Sequence, residues 1–289
     1  MSHFKVLVIG DDVEKLLAPY DEQLEVEDYE IDCRCGLYKA DHLAHEQSRG
    51  ELGFNNFDDF WSAARSDRDP KGLLVRRYRE RAVKLLEANL DKDKPDLECT
   101  ECGGTGRKLT NCNPKSKWDW YKAGGRWRGM LILKPGKSGV LGEPRVFGNE
   151  PEHPDDVDRA LFGDVDWERM RNNPEERKRL EEQWDRIMDP ANKDLKPGEY
   201  CEKTGTLYNP EYYSERYGTK ENFVRRSLLF TTYAVVTEDG EWHEPGEMGW
   251  WGCSTETPEE KQDWDLNYFD RFLKNLKPDT LITIVDCHI

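Results

Sequence analysis

Two apolar runs stand near opposite ends of the 289-residue chain, FKVLVIG at residues 4–10 and TLITIVDCHI at 280–289. Each has the length of a strand buried on both faces, and nothing in chain order prevents the two from lying side by side in one sheet. A sheet that joins the first and last strands obliges the rest of the chain to fold around it. TTYAVVTEDGEWHE adds a hairpin about Glu238-Asp239-Gly240, because an Asp-Gly pair accepts the positive φ of a tight turn. MLIL, Met130 to Leu133, reads as a further strand.

Helical spacing accounts for much of the remainder. DDVEKLLAPY gives one or two turns stopped by Pro19, and FDDFWSAARSD gives a helix from Phe57. Another helix is expected from about Pro70 to Leu90, with Leu73, Leu74, Tyr78, Val83, Leu85 and Leu86 on its buried face. NPEERKRLEEQWDRIMDP, with Pro174 near its start, and the segment from Pro258 to about Leu276 are also helical in pattern. The expected class is α+β: a mixed or antiparallel sheet with flanking helices, a cysteine-containing loop region and an acidic helical insertion. The expected division is an N-terminal α+β part over 1–145, the insertion over 146–199, and a hairpin-helix-strand part over 200–289 that completes the core.

The opening MSHFKVLVIGDD lacks the charged segment and small-residue cleavage site of a secretory signal, and no apolar run reaches the roughly 18 residues that span a bilayer. A soluble, intracellular chain with no membrane partner is expected. In that compartment its eight cysteines are thiols or metal ligands rather than a disulfide framework.

CTECGGTG, Cys99 to Gly106, is the strongest chemical signal. A Cys-x-x-Cys loop followed by glycines turns the backbone tightly and lets two thiolates converge on one ion. Cys112 is the expected third ligand. Cys201 is the expected fourth, because it opens CEKTGT, a partial echo of the first loop. Four sulfurs would make a closed, structural zinc site. A second, less specific pattern joins Cys33 and Cys35 to His42 and His45, and ordinary surface and core roles are expected there.

The chain carries 59 acidic against 43 basic side chains, a net charge of −16, so its field repels phosphate backbones and attracts basic surfaces. The acid is densest from Glu150 to Glu168, which makes Glu150, Glu152, Asp155, Asp156, Asp158, Asp164 and Asp166 the candidate partner-binding residues. KWDWYKAGGRW, residues 117–127, runs against this charge. Its aromatic residues and cations suit base stacking in isolation, but the global charge opposes that. Trp118, Trp120, Tyr121, Gly124, Gly125, Arg126 and Trp127 are therefore read as a structural anchor, with a partner or oligomer contact as the alternative.

No phosphate-binding loop, nucleophile elbow or His-Glu-x-x-His helix is present, and Asp286, Cys287 and His288 are strand neighbours that must alternate between faces. MSHFKVLVIG with LAPYDE, NPKSKWDWYKAGGRW, EWHEPGEMGWWG and DTLITIVDCHI together resemble a family of phage-encoded proteins that includes the Gabija anti-defence proteins. The resemblance runs through most of the chain and is weakest in the acidic segment. It implies a non-catalytic homo-oligomer, in the cytoplasm of an infected bacterium, that binds the Gabija nuclease complex and blocks its access to DNA without contacting nucleic acid directly. It also implies a subunit contact at Cys287. The alternatives are a zinc-containing, nucleic-acid-associated phage protein and an enzyme with an unrecognised site.

Overall fold

The computed structural model describes residues 2–65, 73–89, 94–144, 151, 153, 155–192, 195–249 and 253–289. In chain order the elements are β1 (His3–Ile9), α1 (Val13–Leu17), β2 (Tyr29–Asp32), α2 (Cys35–Glu51), α3 (Phe57–Ala64), α4 (Leu73–Asn89), β3 (Arg107–Thr110), β4 (Trp120–Gly125), β5 (Glu143–Pro144), β6 (Arg159–Leu161), α5 (Trp167–Arg171), α6 (Pro174–Met188), α7 (Pro197–Thr204), α8 (Pro210–Tyr217), α9 (Lys220–Ser227), β7 (Ala234–Val236), β8 (Trp242–His243), α10 (Pro258–Phe272) and β9 (Leu281–His288). They form an α+β fold divided into two compact units. One unit is Met1–Leu24 with Cys112–Ile289, and the other is Glu25–Asn111.

The larger unit is built on β9. This strand pairs antiparallel with β1 over its whole length, from His3 opposite His288 to Ile9 opposite Ile282, as the two apolar ends predict. β1 in turn pairs parallel with β7, which forms the expected hairpin with β8. Two strands share the other edge of β9. β4 covers His288 to Val285 and β6 covers Thr283 to Leu281, while the Ile284 amide between them donates to the Asp158 carbonyl at 2.8 Å. The buried ladder is thus satisfied without a gap, as an apolar environment requires.

Strand alternation sends Leu7, Ile9, Val235, Ile282 and Ile284 to one face, where Trp264, Tyr268 and Phe272 of α10 cover them. Phe4, Val6, Val8, Val285 and Cys287 point to the other face, with Leu17, Tyr20 and Trp118. Thr257 and Glu260 close a reciprocal capping box at the start of α10, which fixes where that helix begins. A third apolar cluster joins α6, α8 and α9 through Leu180, Trp184, Tyr213 and Phe223.

This arrangement corrects several sequence expectations. Residues 146–199 are not a separate insertion, because β6 lies within them and is part of the main sheet; the excursion from that sheet is instead 25–111. Of the acidic candidates, Glu150 and Glu152 lie outside the described residues. Asp158 is fully buried and accepts from the Gly129 and Gly142 amides, each at 2.8 Å. Asp156 is buried and accepts from the His153 amide, Asp166 caps α5, and Asp164 pairs with Lys137 at 2.8 Å. Asp155 is exposed. Asp156 and Asp158 therefore direct their charge inward, and with Asp166 they hold turns together, while Asp164 and Asp166 are half-buried.

Cys287 is completely buried within the sheet, so its side chain presents nothing to a second subunit. Of the expected buried face of α4, Val83 is 53% exposed and Leu74, Leu85 and Leu86 are half-buried; among the described side chains of this helix Tyr78 and Ala82 are buried. The predicted proline at 70 lies outside the described residues.

The KWDWYKAGGRW stretch is woven into the same sheet. Trp118 is buried and donates its indole N–H to the Leu17 carbonyl at 3.2 Å, with Tyr121 edge-on at 5.0 Å. Trp120 stacks on His288 at 5.1 Å. Gly125 has φ 59°, and a β-carbon there would lie 2.5 Å from the Asp286 side chain, whose Oδ2 accepts the Arg126 amide at 3.0 Å. Gly124 and Gly125 thus turn β4 away from β9, and the Trp127 amide bonds back to Gly124 at 3.1 Å. The Arg126 side chain is exposed.

Candidate metal centre

The unit 25–111 contains none of the three large apolar clusters. Its helical part packs on small residues: Ala40, Ala44 and Ser48 lie at four-residue intervals along α2 and face Tyr78 and Ala82 of α4. The Ser48 hydroxyl donates to the Tyr78 carbonyl at 2.8 Å, and Phe60 of α3 rests on the Tyr78 ring at 4.6 Å. The Phe57 and Trp61 rings also gather on Tyr78, at 6.2 Å each, so the core of this unit is a small aromatic cluster set on the α2–α4 contact.

Four cysteines gather at the end of a two-stranded ribbon. β2 and β3 pair antiparallel from Tyr29 opposite Thr110 to Asp32 opposite Arg107. Cys33 follows β2 directly, and its amide donates to the Gly106 carbonyl at 2.8 Å; Cys35 begins α2. Cys99 and Cys102 lie in the loop that leads into β3. Gly104, with φ 80°, lets that loop fold beneath residue 97, since a β-carbon there would come within 2.9 Å of the Leu97 carbonyl oxygen. The Thr105 hydroxyl donates to the Cys102 carbonyl at 2.7 Å and locks the turn.

These two loops bring four sulfurs together. Cys33 Sγ lies 3.8 Å from Cys99 Sγ, Cys35 Sγ lies 3.6 Å from Cys102 Sγ, and all four fall within 4.8 Å of one another. A disulfide would require about 2.05 Å. Four thiolates around one ion at about 2.3 Å, by contrast, form a tetrahedron with edges of about 3.8 Å. The four cysteines can therefore hold a metal ion as they stand.

The surroundings suit that role. The Asp96 amide donates to Cys35 Sγ at 3.4 Å, an outer contact that orients a sulfur ligand. Lys39 pairs with Asp96 at 2.6 Å and Lys108 with Glu101 at 2.5 Å, which brings positive charge close to the sulfurs. Desolvation opposes ionisation of Cys102, yet the Gly106 amide, the Cys35 and Cys99 thiols and the Gly104 amide outweigh it and bring this thiol down to about 7. Cys33 responds in the opposite sense. The Cys35 amide favours its thiolate, but desolvation and hydrogen bonds shared with Cys35, Cys99 and Cys102 push it up to about 12. One proton leaves this cluster readily and the last is held hard, so four thiolates coexist only around a cation.

The cluster shares two residues with the expected ligand set. Cys99 and Cys102 are members, whereas Cys112 is exposed and outside the cluster, and Cys201 belongs to α7 in the other unit. The other two members of the cluster are Cys33 and Cys35. His42 and His45 do not join them: His42 lines the adjacent open cleft, and His45 packs on Tyr78 at 5.2 Å. Each Cys pair is one half of a site, and a pair lacking its second half in one loop is the signal that the other half lies elsewhere in the chain.

The structure thus defines an α+β protein with a cluster of four cysteines in its smaller unit that could hold a metal ion. Compared with known proteins, the chain matches no family model, no curated protein and no solved structure.

Proposed function

We propose that the chain is a non-catalytic binding protein stapled by a structural zinc ion, and that it acts as a phage anti-defence protein on a Gabija-type nuclease complex. The observation that carries the zinc reading is the convergence of Cys33, Cys35, Cys99 and Cys102 within 4.8 Å. Soft thiolates favour zinc among the abundant divalent ions, and four protein sulfurs leave no coordination position for substrate. The ion's part is to fasten the β2–β3 ribbon to the start of α2.

The target is assigned by the resemblance carried in NPKSKWDWYKAGGRW, EWHEPGEMGWWG and the two terminal strands. A net charge of −16 supports it, because a nuclease presents a basic surface to DNA and an acidic protein approaches that surface rapidly. A homo-oligomer that occludes the surface needs no chemistry of its own.

Co-expression of the tagged chain with both Gabija subunits tests the target. A complex that survives size exclusion at micromolar concentration, with loss of DNA cleavage, is expected; separate elution with cleavage intact overturns the assignment. Zinc content is measured on the chain alone, so the two halves of the proposal fail independently.

A further inference from the structure

Lys5 of β1 is partly buried on the sheet face that carries Leu7 and Ile9, and its ammonium group has no hydrogen bond or ion pair to any described residue. It borders a cavity of about 390 Å³ in the larger unit, with Arg226, Lys261 and Asp265 also in the wall. Asp265 is already engaged twice. Arg226 donates to its Oδ2 through Nε at 3.2 Å and through Nη2 at 2.9 Å, and Lys261 bonds its Oδ1. Glu176, at the rim, is held by Arg179 at 2.7 Å.

Four cations, Lys5, Arg169, Arg226 and Lys261, thus share the wall with two carboxylates, Asp265 and Glu176, which leaves two positive charges in excess. A charge partly withdrawn from water without a partner carries a cost. Burial and the Lys261 charge hold Lys5 down to about 8, against the opposing pull of Asp265. Met130, Ile132 and Phe230 give the wall an apolar part beside the polar Asn173, Ser227 and Thr231, and the volume lies in the range of small-molecule sites.

We propose that this cavity binds a small phosphate-bearing molecule, with the phosphate between Lys5 and Lys261 and its organic body against Met130, Ile132 and Phe230. A phosphate monoester supplies nearly two negative charges and matches the local excess, whereas a monocarboxylate supplies one. Lysine is well suited to such a site, because its three donors rotate to meet phosphate oxygens. Arg226 contributes through Asp265, and its guanidinium is fixed by the Arg216 carbonyl at 2.8 Å and by the Tyr217 ring at 4.7 Å.

Calorimetric titration of the full chain with inorganic phosphate, phenyl phosphate and benzoate tests the site. Saturable binding of both phosphates is expected, tighter for phenyl phosphate and absent for benzoate. Lys5→Met should weaken phosphate by about tenfold or more, the loss of one charge-assisted hydrogen bond, and Lys5→Arg should retain most of it. A second readout needs no variant: acetylation of Lys5 in the wild-type chain, followed by peptide mass spectrometry, should slow when phosphate is present. No saturable heat from either phosphate, equal affinity in Lys5→Met, benzoate binding as tight as phenyl phosphate, or unprotected Lys5 overturns the proposal.

Discussion

Cys35 Sγ lies 3.6 Å from Cys102 Sγ across 67 residues of chain. The pair joins the start of α2 to the loop before β3, so loss of either sulfur opens the cluster that fastens ribbon to helix. About one equivalent of zinc is expected in protein purified without chelator, and less than about half in Cys35→Ser or Cys102→Ser. Cys112→Ser and Cys201→Ser should keep the full amount. Structural zinc contributes on the order of 10 kcal/mol to small folds, so the first two variants should lose amide protection throughout 25–111. Protection that survives metal loss would assign the fold of this unit to its helix packing alone.

Acid should release the metal. Bound thiolates carry no protons, whereas the metal-free cluster takes them up, so falling pH favours the metal-free form. With Cys102 held near 7 and Cys33 near 12 in the metal-free cluster, proton competition is already present at neutrality and strengthens as pH falls. A colorimetric zinc indicator, read in steps downward from neutrality, should show release with amide protection lost over the same range. Release that increases toward alkaline pH would contradict thiolate ligation.

Gly125→Ala should destabilise the larger unit by about 2–4 kcal/mol, combining the cost of positive φ with the collision at Asp286. Thermal denaturation measures it. Gly136→Ala, also at positive φ but with nothing near its β-carbon, separates backbone strain from collision and should cost less.

The ends of the chain, the Asp-Gly hairpin and α10 were legible because each has a local cause: continuous burial, turn chemistry or a capping box. α2 was not. Its buried face is Ala40, Ala44 and Ser48, small residues that leave no apolar periodicity in the sequence. Asp158 reads as surface acid, and only the fold reveals the Gly129 and Gly142 amides that hold it inside. The metal site was half legible for a related reason. Spacing shows which two cysteines share a loop, but the antiparallel pairing of β2 with β3 decides which loops meet.

Lys5 makes a pH prediction with a definite sign. Its folded pKa of about 8 lies below the ordinary 10.5, so between those values the unfolded chain binds more protons and stability rises with pH. The penalty is complete below about 8 and disappears above about 10.5. Lys5→Met should therefore be more stable than wild type at neutral pH, with the difference shrinking through that window. Urea denaturation of both proteins across the window measures it. A difference independent of pH would show that packing, rather than the charge, separates them.

Cys287→Ser distinguishes a core thiol from a subunit contact. The side chain is fully buried beside Phe4, Val285 and Trp118. Burial, with the neighbouring Asp286 charge, holds its thiol well above the ordinary range and keeps it protonated. Serine places a hydroxyl in the same apolar space, at a cost of about 1–3 kcal/mol. For a chain of this length that lowers the melting temperature by roughly 2–4 °C per kcal/mol. The sedimentation coefficient should stay unchanged, because the sulfur lies inside the sheet. A changed oligomer size with an unaltered melting temperature would place Cys287 at a subunit interface after all, and would require β9 to rearrange when subunits associate.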